Sequence, residues 1–145
     1  MTAPSERAVQ IARSWIGTPY RHQCSVKGAG ADCLGLLRGV WRGLYGAEPE
    51  VIPPYTPDWS EPEREERLWQ AALRHLRALD PAVPLAVGQI LLFRMRDGAV
   101  AKHLGLVATV EGGVTFIHAY SGHGVLESPL SAPWARRIAA RFAYP

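Results

Sequence analysis

Residues 32–44 read DCLGLLRGVWRGL and predict a helix that begins beside a cysteine. Large apolar side chains recur at i, i+3, i+7 and i+10 and therefore share one helical face: Leu34, Leu37, Trp41 and Leu44. Leu36 and Val40 widen this apolar stripe. The preceding residues 21–31 are polar and rich in glycine, which indicates a loop. We therefore expect Cys33 at the junction of an accessible loop and a well-buried helix.

Cys33 occupies a position that suits a nucleophile. The helix dipole and the unpaired backbone N–H groups of a helix N-terminus favour a thiolate over a thiol. Gly35, two residues further on, would let a substrate backbone come close. The alternative is that Cys33 is a small buried hydrophobic residue, as most free cysteines are. Its position alone does not exclude that alternative.

The rest of the first half is also predicted to be mainly helical. An N-terminal helix begins at a Ser5 cap, and its apolar residues recur on one face: Ala8, Val9, Ala12 and Ile16. Residues 47–62 contain five prolines and form an irregular connection. A third helix then begins at a capping box of Ser60 and Glu63 and continues to Leu79.

The second half of the chain is predicted to form a sheet. Short β-rich segments follow one another, with glycine turns among them: 90–93, 103–110, 114–120, 124–130 and 135–144. The last of these segments is also compatible with a helix. Helices followed by strands predict an α+β fold with an antiparallel sheet. The length of 145 residues predicts a single domain, 1–145.

Two histidines lie on strands that a short turn connects. Residues 111–113 (EGG) join the segments that carry His103 and His118 as a hairpin. The hairpin register places the two imidazoles close enough to form a hydrogen bond. Together with Cys33 they make a Cys-His-His arrangement of nucleophile, general base and orienting group. The alternative is that both histidines are ordinary core or surface residues.

Composition and charge exclude several classes of protein. A net charge of +3 is too small and too scattered to indicate nucleic-acid binding. No apolar run approaches the roughly 18–20 residues of a membrane span, and the first ten residues lack a signal-peptide core. Two cysteines are too few for a disulfide scaffold, and a Cys24–Cys33 bridge would silence the nucleophile. His22, Cys24, Cys33 and His103 match no standard zinc spacing, so we expect no metal.

Four motifs in register resemble the NlpC/P60 family of cysteine peptidases. In chain order they are Gly17-Thr18-Pro19-Tyr20, Asp32-Cys33-Leu34-Gly35-Leu36, His103-Leu104-Gly105-Leu106-Val107 and Ile117-His118-Ala119. The resemblance covers most of the chain outside residues 47–80. Residues 21–37 further resemble the branch of the family found in phage tails and phage-like gene transfer agents.

The resemblance implies a papain-like α+β fold and cleavage of bacterial peptidoglycan stem peptides, often between D-glutamate and diaminopimelate. It implies that Cys33 is the nucleophile, His103 the general base and His118 the group that orients the base. Tyr20 matches a tyrosine whose hydroxyl helps to hold the oxyanion, with core packing as the alternative. Leu34 replaces the family's usual serine at the helix start, where backbone N–H groups would bind the oxyanion or substrate. The resemblance implies no metal or cofactor.

The resemblance also suggests a setting for the protein. It implies a component of a phage or gene-transfer-agent tail, made in the cytoplasm and acting in the periplasm or cell wall of the target cell. Its partners would then be peptidoglycan and phage-like tail proteins. The long segment 47–80 departs from many members and would cover the cleft. Two alternatives are a non-catalytic tail or wall-binding component and an amidase or acyltransferase of the same fold.

Overall fold

Helices and strands follow one another along the chain much as the sequence predicts. The computed structural model describes residues 3–59 and 64–145. In chain order, its elements are α1 (Pro4–Ser14), β1 (Ser25–Val26), β2 (Gly30–Ala31), α2 (Cys33–Tyr45), α3 (Arg67–His75), β3 (Arg77–Ala78), β4 (Ile90–Arg94), β5 (Ala101–Thr109), β6 (Thr115–Tyr120), β7 (Gly124–Pro129), α4 (Ala132–Arg136) and β8 (Ile138–Ala143). The predicted α+β class is confirmed.

A six-stranded antiparallel sheet supports the helices, with strand order β3-β8-β4-β5-β6-β7. Because side chains alternate between the two faces of a sheet, each face carries its own apolar cluster. The cluster shared with α1 and α2 includes Ala12, Leu36, Val40, Ile90, Leu92, Leu106 and Ile117. The cluster on the opposite face contains Leu91, Phe93, Val107 and Phe116, with Trp134 of α4 packed against it.

The most deeply buried side of α2 is the edge at which Leu36 and Val40 widen the predicted stripe. Leu36 and Val40 are completely buried, whereas three residues of the predicted stripe are only partly buried: Leu34, Trp41 and Leu44. Gly39 gives the reason, because a Cβ atom at this position would lie 2.1 Å from the ring of Trp15. The helix therefore approaches α1 closely along its glycine-bearing side.

Several predicted boundaries need correction. The N-cap of α1 is Ala3, which makes no side-chain hydrogen bond, so Ser5 is not the cap. Helix α3 ends at His75, because the next residue is extended and the chain continues into β3. The predicted capping box of Ser60 and Glu63 lies outside the described residues. The C-terminal segment, which the sequence left open, contains both a short helix and a strand, α4 and β8.

The proline-rich connection is irregular, as predicted, and is attached to α2. Residues 51–56 have no helix or strand, and Glu48 forms ion pairs with Arg38 at 2.6 Å and Arg42 at 3.0 Å. These bonds hold the start of the connection beside the helix that carries Cys33. Among the described residues, no helix is long and apolar enough to cross a membrane.

Candidate active site

Cys33 is the first residue of α2, as the sequence predicts. The preceding Asp32 is the N-cap, and its Oδ1 accepts a hydrogen bond from the Gly35 N–H at 2.7 Å. The thiol is only 6% exposed, and it donates to the carbonyl oxygen of Lys102 at 3.8 Å. The helix N-terminus thus places the sulfur against β5, next to the strand position that His103 occupies.

Asp32 is a structural carboxylate in this site. Its Oδ2 accepts hydrogen bonds from the backbone N–H of Gln23 at 2.7 Å and from the hydroxyl of Tyr55. Together with the Gly35 bond, three donors satisfy a side chain that is almost completely buried. Because a buried carboxylate needs such partners, these bonds hold the loop, the helix start and the proline-rich connection together.

Burial changes the acidity of the Cys33 thiol in the direction opposite to the sequence-based expectation. Desolvation, followed by the negative charge of Asp32, raises the pKa of Cys33 to about 12. Hydrogen bonds from the backbone at Leu104, Leu34 and Cys33 itself lower this pKa but do not outweigh burial. The expectation that the helix start favours a resting thiolate is therefore wrong, because burial of the sulfur removes the water that would solvate the anion.

The two predicted histidines are in direct contact. A hydrogen bond of 2.7 Å joins Nε2 of His103 to Nδ1 of His118, and the ring centroids lie 5.0 Å apart. Strands β5 and β6 pair in the register that makes this contact, with Leu106 opposite Ile117. The contact predicted from the hairpin is confirmed, whereas the catalytic roles of the two residues stay predictions.

A serine that the sequence analysis missed extends the histidine pair. Nε2 of His118 lies 3.0 Å from the Oγ of Ser128 on β7. Phe116 pairs with Ser128 and His118 pairs with Leu126, so the serine is a diagonal neighbour of the histidine on the same face. No motif at Ser128 marks this position, since the contact depends on the register of the β6–β7 hairpin.

Both histidines are neutral in the folded protein near neutral pH. Burial, followed by the charge of His118, lowers the pKa of His103 to about 3. Burial, followed by the charge of His123, lowers the pKa of His118 to about 4. A neutral imidazole has one protonated and one unprotonated nitrogen, so His103 retains a lone pair with which to accept a proton.

These shifts predict a loss of stability in mild acid. Unfolded histidines take up protons near pH 6.5, whereas His103 and His118 resist protonation while folded. Their contribution to the free energy of unfolding is therefore complete above pH 6.5. It is lost as the pH falls towards the pKa values that the two histidines have in the folded protein. We expect the free energy of unfolding to drop by about 2–4 kcal/mol between about pH 7 and about pH 5, measured by urea denaturation. The His118→Asn variant lacks one of the two histidines, so its free energy of unfolding should drop less over the same pH range. An equal drop in this variant would contradict the prediction.

Cys33 and His103 line one cavity of about 140 Å³. Tyr20 lines it as well, and burial, followed by the charges of Cys33 and Asp32, raises the pKa of Tyr20 to about 12. The Tyr20 hydroxyl therefore keeps its proton and remains a hydrogen-bond donor beside the sulfur. Leu34 lines a neighbouring cavity of about 380 Å³ instead, so only its backbone is directed towards Cys33.

Two aromatic residues of the proline-rich connection line the cavity. Tyr55 and Trp59 stack with ring centroids 4.2 Å apart, and both line the cavity wall. The Tyr55 carbonyl accepts hydrogen bonds from Gln23 Nε2 at 2.6 Å and from the His22 ring at 2.9 Å. The structure thus places part of segment 47–80 in the cavity wall, at two residues that the sequence did not single out, whereas its covering of the cleft stays a prediction.

Gly35 holds the loop of residues 21–31 against the start of α2. A Cβ atom at this position would lie 1.8 Å from the carbonyl oxygen of Cys24. The interpretation that Gly35 leaves room for a substrate backbone is therefore wrong, because the backbone of the chain itself fills this space. Cys24 is a free cysteine, like Cys33, and contributes its backbone to this contact.

Substitution of Gly35 tests this contact. Gly35→Ala is expected to lower the free energy of unfolding by about 1–3 kcal/mol, although alanine normally stabilises a helix by about 1 kcal/mol relative to glycine. The matched control is Gly43→Ala in the same helix, where the new Cβ would meet the flexible end of Ile11 at 2.8 Å. Urea denaturation measures the free energy of unfolding of both variants. If the Gly35→Ala protein is as stable as the Gly43→Ala protein, the Cys24 carbonyl does not fill the space beside Gly35.

No group of three or more potential metal ligands occurs among the described residues. The four side chains considered as zinc ligands do not form such a group. His22 instead contacts the Tyr55 ring and carbonyl.

No protein-family model and no curated protein matches the sequence, whereas solved structures match its fold. NlpC1 from Trichomonas vaginalis is 20% identical with a TM-score of 0.65, over 99% of this chain and 45% of that chain. An NlpC/P60 family protein from Bacillus cereus ATCC 10987 is 18% identical with a TM-score of 0.65, over 99% and 40%. Ly7917, solved with the hydrolyzing product of MDP, is 17% identical with a TM-score of 0.58, over 97% and 63%.

These similarities establish the class of fold. The chain has the α+β fold of the NlpC/P60 proteins, with N-terminal helices packed on an antiparallel sheet. It spans less than two thirds of the length of each of these solved chains. At this level of identity the likeness describes the fold, and the activity has to be argued from the site.

Proposed function

We propose that this protein is a cysteine peptidase that hydrolyses peptide bonds in the stem peptides of bacterial peptidoglycan. The observation that carries the proposal is the cavity that Cys33, at a helix N-terminus, lines together with His103, whose ring is hydrogen-bonded to His118. The NlpC/P60 fold supports it, as does the complex of Ly7917, a protein of similar fold, with a hydrolysis product of MDP.

Acylation begins with attack of the Cys33 sulfur on the carbonyl carbon of the scissile bond. The thiol proton passes to Nδ1 of His103, since Nε2 is occupied by the bond to His118. The oxyanion accepts hydrogen bonds from the Leu34 N–H and the Tyr20 hydroxyl. The C–N bond then breaks, and the leaving amine takes the proton from His103.

Deacylation uses the same groups in reverse order. His103 takes a proton from water, the hydroxide attacks the thioester carbonyl, and Cys33 leaves as the thiol after recovering the proton. Because burial raises the pKa of Cys33 and lowers that of His103, the resting pair is neutral. Proton transfer therefore accompanies attack rather than preceding it.

The cavity beside Cys33 is small for a bound stem peptide. The catalytic cavity of about 140 Å³ is smaller than the roughly 300 Å³ or more typical of ligand pockets. Tyr55 and Trp59 form the wall that belongs to the irregular connection. We infer that these two residues move aside when a stem peptide binds and then pack against it.

We also propose where the protein acts and which peptide bond it cleaves. The setting is a phage or gene-transfer-agent tail, with tail proteins as partners and action in the wall of the target cell. The bond is that between D-glutamate and diaminopimelate. The similarity of residues 21–37 to that branch of the NlpC/P60 family supports the setting, and the family resemblance supports the bond.

Digestion of purified peptidoglycan tests the proposed function. We expect the protein to release soluble fragments whose masses place a new amine on diaminopimelate and a new carboxyl group on D-glutamate. The control protein is Cys33→Ala. Release of intact stem peptides from muramic acid would indicate an amidase instead. Binding to the wall without any released fragment would overturn the proposal in favour of a non-catalytic wall-binding component.

A further inference from the structure

We propose that Ser128 is a positioning residue of the catalytic pair, because its Oγ accepts the hydrogen bond that His118 Nε2–H must donate once His103 has taken the thiol proton. This inference rests on the proposed function, and it concerns a residue outside the four sequence motifs. It assigns to the β7 strand a part in the proton transfer.

The number of protons on the two rings requires a hydrogen-bond acceptor for His118 Nε2–H. The two neutral imidazoles carry one N–H each, and one of these protons lies in the 2.7 Å bond between His103 Nε2 and His118 Nδ1. When the Cys33 proton arrives at His103 Nδ1, three protons occupy the four ring nitrogens. His118 Nε2 carries a proton in the resting pair, because His118 Nδ1 accepts from His103 Nε2–H, and it keeps this proton whichever ring then holds the positive charge.

Ser128 provides the acceptor for this proton. Its Oγ lies 3.0 Å from His118 Nε2, which is within the range of a good N–H···O hydrogen bond. Ser128 is partly exposed, so its own hydroxyl proton can be donated to water. A hydrogen bond to a charged donor is stronger than one to a neutral donor, so Ser128 stabilises the charged pair more than the resting pair.

Aromatic rings pack around the two histidines. The Trp134 ring centroid lies 5.5 Å from that of His103 and 5.2 Å from that of His118, and Phe116 lies 4.2 Å from His118. The other titratable or charged groups around the pair and its cavity are Tyr20, His22, Asp32, Cys33, Tyr55, Lys102, Tyr120, His123 and Arg137. Without Ser128, the buried His118 N–H would lose its hydrogen-bond acceptor on β7.

A pair of variants with the same shape tests the role of the hydroxyl. Ser128→Thr retains the oxygen, whereas Ser128→Val replaces it with a methyl group, and both β-branched side chains suit a strand. We expect Ser128→Val to lower kcat about 10- to 100-fold at unchanged KM, and Ser128→Thr to stay within about threefold of the unaltered protein. Ser131→Ala is the control, since Ser131 is exposed and its side chain makes no cap hydrogen bond.

A second measurement does not need the wall substrate. The rate of Cys33 alkylation by iodoacetamide is followed from about pH 5 to about pH 9, and peptide mass mapping separates it from the labelling of Cys24. We expect Ser128→Val to slow alkylation of Cys33 about tenfold across the neutral range, because the base becomes weaker. A merely structural loosening would speed alkylation by exposing the sulfur, so the direction of the change distinguishes the two roles.

The outcomes separate the two proposals. If the unaltered protein cuts no peptidoglycan, the proposed function fails, while the alkylation rates still decide the role of Ser128. If Ser128→Val alkylates at least as fast as the unaltered protein, or if Ser128→Thr is as slow as Ser128→Val, the role of Ser128 is overturned.

Discussion

Cys33→Ala protein is expected to release no fragments from purified peptidoglycan. Loss of a catalytic nucleophile typically lowers kcat by about 10⁴-fold or more, which places the remaining rate below detection in a wall-digestion assay. Without the sulfur, the His103 imidazole has only water to activate. Alanine fits the space of Cys33, and the N-cap bonds of Asp32 involve backbone and Tyr55 groups that the substitution leaves in place.

The matched control for this prediction is Cys24→Ala. Cys24 is also a free cysteine, but its contact with Gly35 involves its backbone carbonyl, which alanine retains. We expect full activity in this variant. Circular dichroism and urea denaturation would establish that both variants are folded. Fragment release by a folded Cys33→Ala protein at the rate of the unaltered protein would rule out Cys33 as the nucleophile.

His103→Ala is expected to lower kcat by about 10³- to 10⁴-fold. Burial raises the pKa of the Cys33 thiol, so the sulfur depends on a base to take its proton during attack. No resting thiolate is available to compensate, and the loss should therefore be larger than in a site whose cysteine is already ionised. The measurement is kcat on a stem-peptide fragment, together with the iodoacetamide rate at Cys33.

Variants of His118 provide the comparison for this second prediction. His118→Asn keeps a side-chain oxygen that can accept from His103 Nε2–H, whereas His118→Ala leaves that donor without a partner. We therefore expect activity in the order unaltered protein, His118→Asn, His118→Ala, with His103→Ala lowest. If His103→Ala retains more activity than His118→Ala, the assignment of His103 as the base is wrong.

The position of the cysteine was predictable because its determinants are local. An Asp-Cys pair between a glycine-rich loop and an apolar repeat predicts a helix N-terminus, and the structure has Asp32 as N-cap and Cys33 as the first helical residue. The hairpin contact of His103 and His118 was also predictable, because a short turn and alternating strands constrain the register.

The ionisation state of the site was not predictable, because it depends on burial by residues distant in sequence. The helix start and its N–H groups are local features that favour a thiolate, but burial of the sulfur and the charge of Asp32 outweigh them and raise the pKa of Cys33. The same holds for Gly35, whose space is filled by the Cys24 carbonyl once the loop folds back.

The sequence by itself therefore determined the α+β class, the helix that begins at Cys33 and the adjacency of the two histidines. Each follows from the periodicity of apolar side chains, from capping and turn residues, and from the short span of one hairpin. The tertiary structure alone decided the neutral state of the thiol and imidazoles and the contact of Ser128 with His118. These depend on desolvation and strand register, which arise only when segments separated along the chain pack together.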